Sequence, residues 1–462
     1  MHLSLIHPHH SRRHGYELDM LNGPVMPKLL TFAVPLMLSS VLQLTFNAAD
    51  VIVVGKFEGD AALAAVGAPG PLINLLVNLF LGLSVGANVV VARCHGAGDA
   101  RQTADSVHTS MLLSVLSGLA VGLLGFVMAG TFLRWMNTPA DVWPLSTVYM
   151  RIYFLGMPAN MIYNFGAAIL RAVGDTRRPL MYLTVAGVVN VILNIVFVAG
   201  FGMGVAGVAW ATITSQVISA ILVTLCLVRT EGSIHLDLRK LRLNGGKVVD
   251  IAKIGLPAGL QGICFSLSNV IIQSTVNSFG TVITAGNTAA SNIEGYIYVS
   301  MNSIYQAAIT FVSQNVGAYR YDRISRITRA SLAAVTGIGL GMGMILMLFM
   351  RVFFRIYTDD PEVIAAAAIR SSIIAPTYFL CGMMDVMVGV LRGMGASVTP
   401  MIVSVMGICV LRLMWIAFAY PLHPTLNMLY MSYPISWIIT FTIHLICYFV
   451  VKKKLFDRTG KQ

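Results

Sequence analysis

The stretch LRAVGDTRRP at residues 170–179 recurs as LRGMGASVTP at residues 391–400, in the second half of the chain. Leucine, arginine, one glycine and the closing proline hold the same places in both copies. Further landmarks repeat at the same spacing to within one position: Pro35 with Pro257, Phe57 with Phe279, and Gly96 with Gly317. The sequence therefore predicts two copies of one structural unit.

The composition identifies the environment of that unit. Hydrophobic residues make up 56% of the 462-residue chain and charged residues only 11%, whereas soluble domains carry about 25% charged residues. Apolar runs long enough to cross a bilayer, about 20 residues each, recur along the whole length. We predict twelve spans, at residues 30–54, 61–90, 107–133, 145–170, 180–200, 204–228, 249–276, 283–313, 328–350, 363–391, 400–420 and 427–451.

Each span has to be a helix, because lipid offers no hydrogen-bond partner to an exposed backbone. The predicted fold class is all-α: a polytopic membrane protein with twelve transmembrane helices in two six-helix bundles. Since six is even, both bundles cross the membrane in the same sense, which is a parallel repeat. Two such bundles enclose a central cavity, and rocking of one against the other gives alternating access.

The repeat also predicts the segments of the chain. They are an N-terminal cytoplasmic leader at 1–27, an N-lobe at 28–228, a cytoplasmic linker at 229–248, a C-lobe at 249–451 and a cytoplasmic tail at 452–462. We expect the histidine-rich leader to be disordered. Both repeated stretches, 170–179 and 391–400, begin with the motif LRxxG, and we call each of them an LRxxG frame. Each frame closes the fourth helix of its lobe, with an arginine at the membrane interface, a glycine for the turn and a proline that opens the next helix.

The basic residues predict the orientation. With the N-terminus inside, 24 of the 31 lysines and arginines fall on the cytoplasmic side and Arg412 lies within a helix. This bias is typical of a cytoplasmic (inner) membrane protein with both termini in the cytoplasm. The clusters at 239–247 and 452–454 favour contact with anionic lipid over nucleic acid. The other six of the 31 lysines and arginines fall on the outer side of the membrane: Lys56, Arg134, Arg151, Arg351, Arg355 and Arg370.

Several motifs resemble one transporter family. TFNAADVIVVGKFEGDAALAAVG (45–67), SVGANVVVARCHGAGD (84–99), both LRxxG frames, FGMGVAGVAWATITSQ (201–216) and IYQAAITFVSQNVGAYR (304–320) resemble the MATE (multidrug and toxic compound extrusion) family, and within it the bacterial DinF-like branch. The resemblance covers about residues 20–455. It implies a secondary antiporter, not an enzyme, that exports small organic, often cationic, compounds in exchange for H⁺ or Na⁺. No other cofactor is implied, and we expect a monomer.

Polar residues in the N-lobe are the candidates for coupling. Asp50 lies late in the first span and matches the family's first-helix aspartate, to which the resemblance assigns coupling-ion or proton binding; Na⁺ could bind there too. A carboxylate in a dehydrated cavity binds a proton or Na⁺ in competition with a cationic substrate. Asn190 and Asn194 share a helix face and resemble, with Thr212, the family's polar cluster. The alternatives are a solvated aspartate at a helix end and asparagines that only hold helices together.

Polar residues in the C-lobe are the candidates for the substrate cavity. Glu294 with Tyr298 offers an anionic and aromatic site for an organic cation, although Glu294 could equally be a structural partner between helices. Gln261 is the polar residue available on the seventh span. Asp385 and Arg412 lie on consecutive antiparallel spans, and we expect them to form a structural ion pair.

Two other classes of function fit the sequence less well. A flippase for lipid-linked saccharides on the same fold needs a strongly cationic cavity, whereas the intramembrane residues predict a mostly acidic one with a single arginine. A membrane enzyme needs a catalytic or metal-binding constellation, and a channel needs no matched halves. The antiporter is the favoured interpretation.

Overall fold

The computed structural model describes residues 16–67, 69–136 and 138–459, and these residues form helices and turns with no β-strand. The N-terminal half contains α1 (Val25–Phe57), α2 (Gly59–Gly67), α3 (Gly70–Gly96), α4 (Ala100–Trp135), α5 (Trp143–Leu155), α6 (Met157–Ala172), α7 (Arg177–Asn194), which continues as a π-helix (Ile195–Gly200), and α8 (Gly204–Arg229). A 3₁₀ turn (Leu238–Lys240) lies between the halves. The C-terminal half contains α9 (Gly245–Asn277), α10 (Thr281–Gly317), α11 (Tyr321–Arg355), α12 (Pro361–Ile374), α13 (Tyr378–Gly393), α14 (Val398–Ser404), a π-helix (Val405–Val410), α15 (Leu411–Met414), a second π-helix (Trp415–Ala419) and α16 (Leu426–Thr459).

The predicted all-α membrane fold is confirmed. Ten helices in the described part of the chain are long and apolar enough to cross a membrane. The other two predicted spans coincide with α5 and α6, which are separated at Gly156, and with α10, which is richer in polar residues. Each half thus has six helical rods in the predicted order.

The two LRxxG frames form the same turn. Gly174 and Gly395 have φ angles of +97° and +93°, a left-handed conformation that glycine adopts without the penalty of a Cβ atom. The amide of Asp175 donates to the Leu170 carbonyl at 3.0 Å, and that of Ala396 donates to the Leu391 carbonyl at 3.0 Å. Both hydrogen bonds satisfy carbonyls at a helix C-terminus, so the repeated sequence gives a repeated turn.

The arginine of the second frame is held between helices. Arg392 is buried within the bundle. Its Nη1 donates to the Tyr305 hydroxyl and its Nη2 to Gln261 Oε1, both at 2.8 Å. The second frame therefore ties α13 to α9 and α10.

Glycines bring the two halves into close contact. A Cβ atom added to Gly86 of α3 would lie well under 3.0 Å from the Ile251 carbonyl oxygen of α9, and one added to Gly259 of α9 would lie equally close to the Leu79 carbonyl oxygen of α3. Backbone therefore lies directly against backbone where these helices cross. A larger residue at either position has no space.

A second contact joins the halves at one end of the bundle. We call this end the basic end; the α3–α4, α6–α7, α8–α9, α10–α11 and α13–α14 turns lie there. A Cβ added to Gly96 would meet the Gln314 carbonyl oxygen, and one added to Gly317 would meet the Arg93 carbonyl oxygen, both well under 3.0 Å. The repeat relates these two pairs, because Arg93 corresponds to Gln314 and Gly96 to Gly317 at the spacing of the LRxxG frames. The helix ends of α3 and α10 therefore cross as near-symmetric partners.

Hydrogen bonds follow the same symmetry. Arg93 Nη2 donates to the Gly393 carbonyl at 3.2 Å, and Gln314 Nε2 donates to the Ala172 carbonyl at 2.7 Å. Thr310 of α10 also donates to Asn88 Oδ1 of α3, at 3.1 Å. We call these three hydrogen bonds, with the Gly96 and Gly317 crossing, the basic-end contact.

The end of the predicted leader is ordered, which corrects the expectation of disorder for residues 16–27; residues 1–15 lie outside the described residues. Met20 is buried, and its carbonyl accepts from Asn315 at 3.2 Å. The backbone of Leu18 lies against Gly174. The segment therefore contacts both halves at the basic end.

Substitution of Gly86 by alanine tests the crossing of α3 and α9. We expect Gly86→Ala to lower stability by about 1–3 kcal/mol, the usual cost of overpacking, because backbone atoms cannot move aside as a flexible side chain can. The measurement is the melting temperature of the purified protein in detergent.

The matched control is Gly337→Ala on α11, where an added Cβ meets no atom within 4 Å. It should melt at or above the wild-type temperature, since alanine favours a helix interior over glycine. Equal melting of Gly86→Ala and wild type would contradict the close crossing.

Candidate functional site

The predicted coupling residues of the N-terminal half meet at one place. The end of the bundle away from the basic end, the opposite end, carries the α7–α8 and α9–α10 turns, and Asp50 lies in the part of α1 nearer to it. Asn194 of α7 donates its side-chain amide to Asp50 Oδ1 and also contacts Asn190 Oδ1 at 3.3 Å. The Thr212 side chain of α8 faces the Asp50 carboxylate as well. Three helices thus supply this polar cluster.

The Asp50 carboxylate has no basic partner. Among the described residues, no lysine, arginine or histidine lies within ion-pair distance of it. Asn194 is fully buried, and its Oδ1 has no hydrogen-bond donor. A carboxylate and a free amide oxygen therefore lie side by side without a positive charge between them.

Sequence reasoning missed the aromatic part of this cluster. Tyr149 and Tyr153 of α5 lie near Asp50, with ring centroids 6.0 Å apart. Tyr153 contacts Gln216 of α8, whose Oε1 is buried without a donor. Their i, i+4 spacing in the fourth span is the signal that could have identified the tyrosines.

The C-terminal half contains a cavity of about 360 Å³ nearer the opposite end. Two predicted substrate residues, Glu294 and Tyr298, line it, and so do Asp385 and Arg412. All of its lining residues belong to the C-terminal half. The aromatic members of the lining are Phe265, Tyr298, Tyr378, Tyr433 and Trp437.

Glu294 has a buried partner. Arg370 of α12 donates from Nη2 at 2.8 Å and from Nε at 3.1 Å to Glu294 Oε2, and Ser371 donates to Oε1 at 3.1 Å. The Nη1 of Arg370 donates to Asn287 Oδ1 at 2.8 Å. The sequence assigns Arg370 to the outer side, within the predicted span 363–391. The residue is only 9% exposed, and it neutralises Glu294 within the bundle. These contacts match the alternative in which Glu294 is a structural partner between helices.

Asp385 and Arg412 do not form the predicted ion pair. Arg412 Nε donates to Ser436 Oγ at 2.9 Å, and its guanidinium lies 4.1 Å from the Tyr433 ring centroid. Asp385 faces the Tyr298 hydroxyl instead. Both residues line one cavity, but their side chains contact different partners.

Gln261 lies away from this cavity. It is buried, and its Oε1 accepts from Arg392. Its contacts make it part of the tie between α9 and α13 rather than part of the cavity lining.

The site offers binding groups rather than reaction chemistry. Within the described ranges, no group of three or more His, Cys, Asp or Glu side chains could hold a metal ion. The N-terminal cluster can accept a proton or a small cation on Asp50, and the C-terminal cavity can enclose an organic molecule against charged and aromatic side chains. The two lie in separate halves that meet closely at the basic end.

Comparison with known proteins gives relatives of the same kind. The MatE family model matches residues 35–196 and 257–418. The probable multidrug resistance protein YoeA of Bacillus subtilis (strain 168) is 27% identical over 437 residues, covering 92% of this chain and 94% of that protein. The probable multidrug resistance protein NorM of Thermotoga maritima is 26% identical over 398 residues, covering 84% of each.

A solved structure has the same fold. A crystal structure of MATE in complex with MaL6 matches with a TM-score of 0.89 at 21% identity, covering 96% of this chain and 99% of that one. The two matched stretches of the family model are the two halves of the repeat. The chain therefore belongs to the MatE family of multi-pass membrane transporters and is a transporter of small molecules, not an enzyme.

Proposed function

We propose that the chain is a secondary antiporter that exports small organic compounds, organic cations foremost, in exchange for H⁺ or Na⁺. The observation that carries this proposal is the Asp50 carboxylate beside the unpaired Oδ1 of Asn194, with no basic residue in ion-pair distance among the described residues. Multidrug resistance proteins among its relatives support organic compounds as the cargo.

The chemistry of that cluster suits ion exchange. A carboxylate held among neutral amides and tyrosines is incompletely compensated, so a proton or a Na⁺ ion is stabilised there. Na⁺ prefers oxygen donors, and Asp50, Asn190, Asn194 and Thr212 all present oxygen atoms. An organic cation that approaches the same carboxylate competes with the ion, and this competition couples export to ion entry.

The basic-end contact supports alternating access. It closes one end of the interface between the halves, while the cluster around Asp50 and the C-terminal cavity lie nearer the opposite end. Separation of the halves at the basic end, with closure at the opposite end, would give access from the other side. The distribution of basic residues supports an orientation in which the basic end and both termini face the cytoplasm of a bacterium, with the protein in the inner membrane. We further propose that it acts as a monomer.

The cavity also favours the antiporter over a flippase of lipid-linked saccharides. Its charged lining residues are Glu294, Arg370, Asp385 and Arg412, an even balance of acids and bases. A flippase needs a strongly cationic site for a pyrophosphate, and Glu294 already neutralises one of the two arginines.

Substitution of Asp50 by asparagine tests the coupling residue. Efflux of rhodamine 123, a fluorescent organic cation, is followed from preloaded bacteria that express the chain. We expect the wild type to lower dye accumulation and Asp50→Asn to lose at least tenfold in efflux rate, because asparagine carries no charge for a proton or Na⁺ to neutralise.

The matched control is Asp141→Asn at the exposed α4–α5 turn, which should transport as the wild type does at equal membrane expression. Loss of efflux on addition of an uncoupler identifies H⁺ as the coupling ion, and loss on replacement of Na⁺ by K⁺ identifies Na⁺. Full efflux by Asp50→Asn would refute the role of Asp50.

Removal of one basic-end hydrogen bond tests the closed end. Gln314→Ala frees the Ala172 carbonyl, so we expect amide hydrogen exchange to become several-fold faster in the last turns of α3, α6 and α10. The measurement is hydrogen–deuterium exchange with mass spectrometry on the full chain. Asn164→Ala, which removes a hydrogen bond to Asn160 within one half, should leave those turns unchanged; equal exchange in both variants would argue against the contact.

A further inference from the structure

Arg412 presents an uncompensated positive charge to the C-terminal cavity. Its residue is only 4% exposed. A guanidinium carries five N–H donors, and in the described part of the chain only the Nε donor has a protein acceptor, Ser436 Oγ at 2.9 Å. Both Nη nitrogens are accessible from the cavity that Arg412 lines. A buried donor group without a partner is costly, so this arrangement is suited to an acceptor that arrives with a ligand.

The other arginine of the cavity lacks this capacity. Arg370 directs Nε and Nη2 to Glu294 and Nη1 to Asn287. Its charge is therefore neutralised, and each of its three nitrogens donates a hydrogen bond within the protein. Of the two, only Arg412 remains open to a ligand.

Asp385 is the acidic counterpart of Arg412 in this cavity. It lines the same cavity, faces the Tyr298 hydroxyl, and has no basic residue within ion-pair distance among the described residues. Arg412 and Asp385 therefore present opposite charges to one enclosed volume without contacting each other. A ligand with both signs of charge can satisfy both groups at once.

Aromatic side chains fix the orientation of the Arg412 guanidinium. The Tyr433 ring centroid lies 4.1 Å and that of Trp437 lies 5.7 Å from its central carbon, and the two rings pack edge to face at 5.8 Å. A guanidinium held between such rings is pre-organised for a planar carboxylate, which it binds through two parallel hydrogen bonds. The remaining aromatic lining favours a ligand with a flat apolar body.

We propose that this cavity binds zwitterionic aromatic compounds, with the anionic group on Arg412 and the cationic group toward Asp385. The inference rests on the proposed transport function and narrows its substrates from organic cations in general to those that also carry a carboxylate. Loss of the anionic group leaves the Arg412 donors unpaired, so a ligand that lacks this group is bound more weakly.

The test uses two dyes that differ by one methyl group. Rhodamine 110 carries a free carboxylate beside its cationic ring system, and rhodamine 123 is its methyl ester and carries only the positive charge. Binding of each to the purified full-length protein in neutral detergent is measured by fluorescence anisotropy. We expect the wild type to bind rhodamine 110 at least fivefold more tightly than rhodamine 123.

The ratio of the two affinities distinguishes the loss of the Arg412 contact from general damage to the fold, which would weaken the binding of both dyes. In Arg412→Gln we expect this ratio to fall to about one, because glutamine cannot form a charged pair with the carboxylate. Arg412→Lys keeps the charge without the planar fork and should give an intermediate ratio. Arg151→Gln is the control: Arg151 also lies over an aromatic ring, Phe126, at 5.7 Å, but it is exposed and lies in the N-terminal half.

Two results overturn the inference. One is a wild type that binds the ester as tightly as the acid or binds neither dye, and the other is an Arg412→Gln variant that keeps the wild-type ratio. If Arg412→Gln does not elute as a folded protein on gel filtration, the wild-type ratio and Arg412→Lys decide.

The outcome is separable from that of the proposed function. Wild-type efflux of rhodamine 123 that depends on Asp50, together with no preference for rhodamine 110, rejects the zwitterion site and keeps the antiporter. An Arg412-dependent preference without any Asp50-dependent efflux supports the site and rejects the antiporter.

Discussion

The structure depends on carbonyl oxygens packed directly against glycine Cα atoms where the two halves meet. At the basic end Gly96 and Gly317 each cover a carbonyl of the other half, and the Gly86 and Gly259 crossings bring α3 and α9 together along their length. Helices in lipid associate through such close packing, because lipid chains are as apolar as the side chains. The cavity and the Asp50 cluster both lie nearer the opposite end, away from the contact at Gly96 and Gly317.

The two halves share a backbone geometry but differ in the side chains at corresponding positions. The turns at Gly174 and Gly395 agree within a few degrees in φ. At the spacing that relates those two glycines, however, Arg370 of one half corresponds to Tyr149 of the other, and Asp385 corresponds to Asn164. The N-terminal half therefore surrounds one carboxylate with neutral groups, whereas the C-terminal half contains charges of both signs. Two similar bundles thus present different charge environments, a lone carboxylate in one and charges of both signs in the other.

The sequence predicted the parts of this structure that local physics determines. Helical spans follow from the absence of backbone partners in lipid, and the frame turns follow from glycine's access to positive φ. The clustering of Asp50 with Asn194 was also predictable, since a polar group within a span needs a partner. Pairings between distant spans were not: Glu294 with Arg370 depends on helix tilt and rotation, which hydropathy does not encode. The same limit explains Asp385 and Arg412, whose depths and helices were anticipated but whose side-chain directions were not.

The hydrogen bonds of the basic-end contact have a strength that a reversible closure can break. The three each contribute about 0.5–1.5 kcal/mol net, so their own share is a few kcal/mol, to which the packing at Gly96 and Gly317 and the hydrogen bonds of Lys247 to Cys94 and Gln102 add. Moving a two-state equilibrium from 1:99 to 99:1 takes about 5.5 kcal/mol, an amount that differential ion and substrate binding can supply. A contact built from buried ion pairs would be far harder to reverse, because separating such a pair leaves each charge uncompensated. The three hydrogen bonds of the basic-end contact have backbone carbonyls or a neutral side chain as their acceptors. The buried Glu294–Arg370 ion pair lies within one half, so it does not have to break in the proposed cycle.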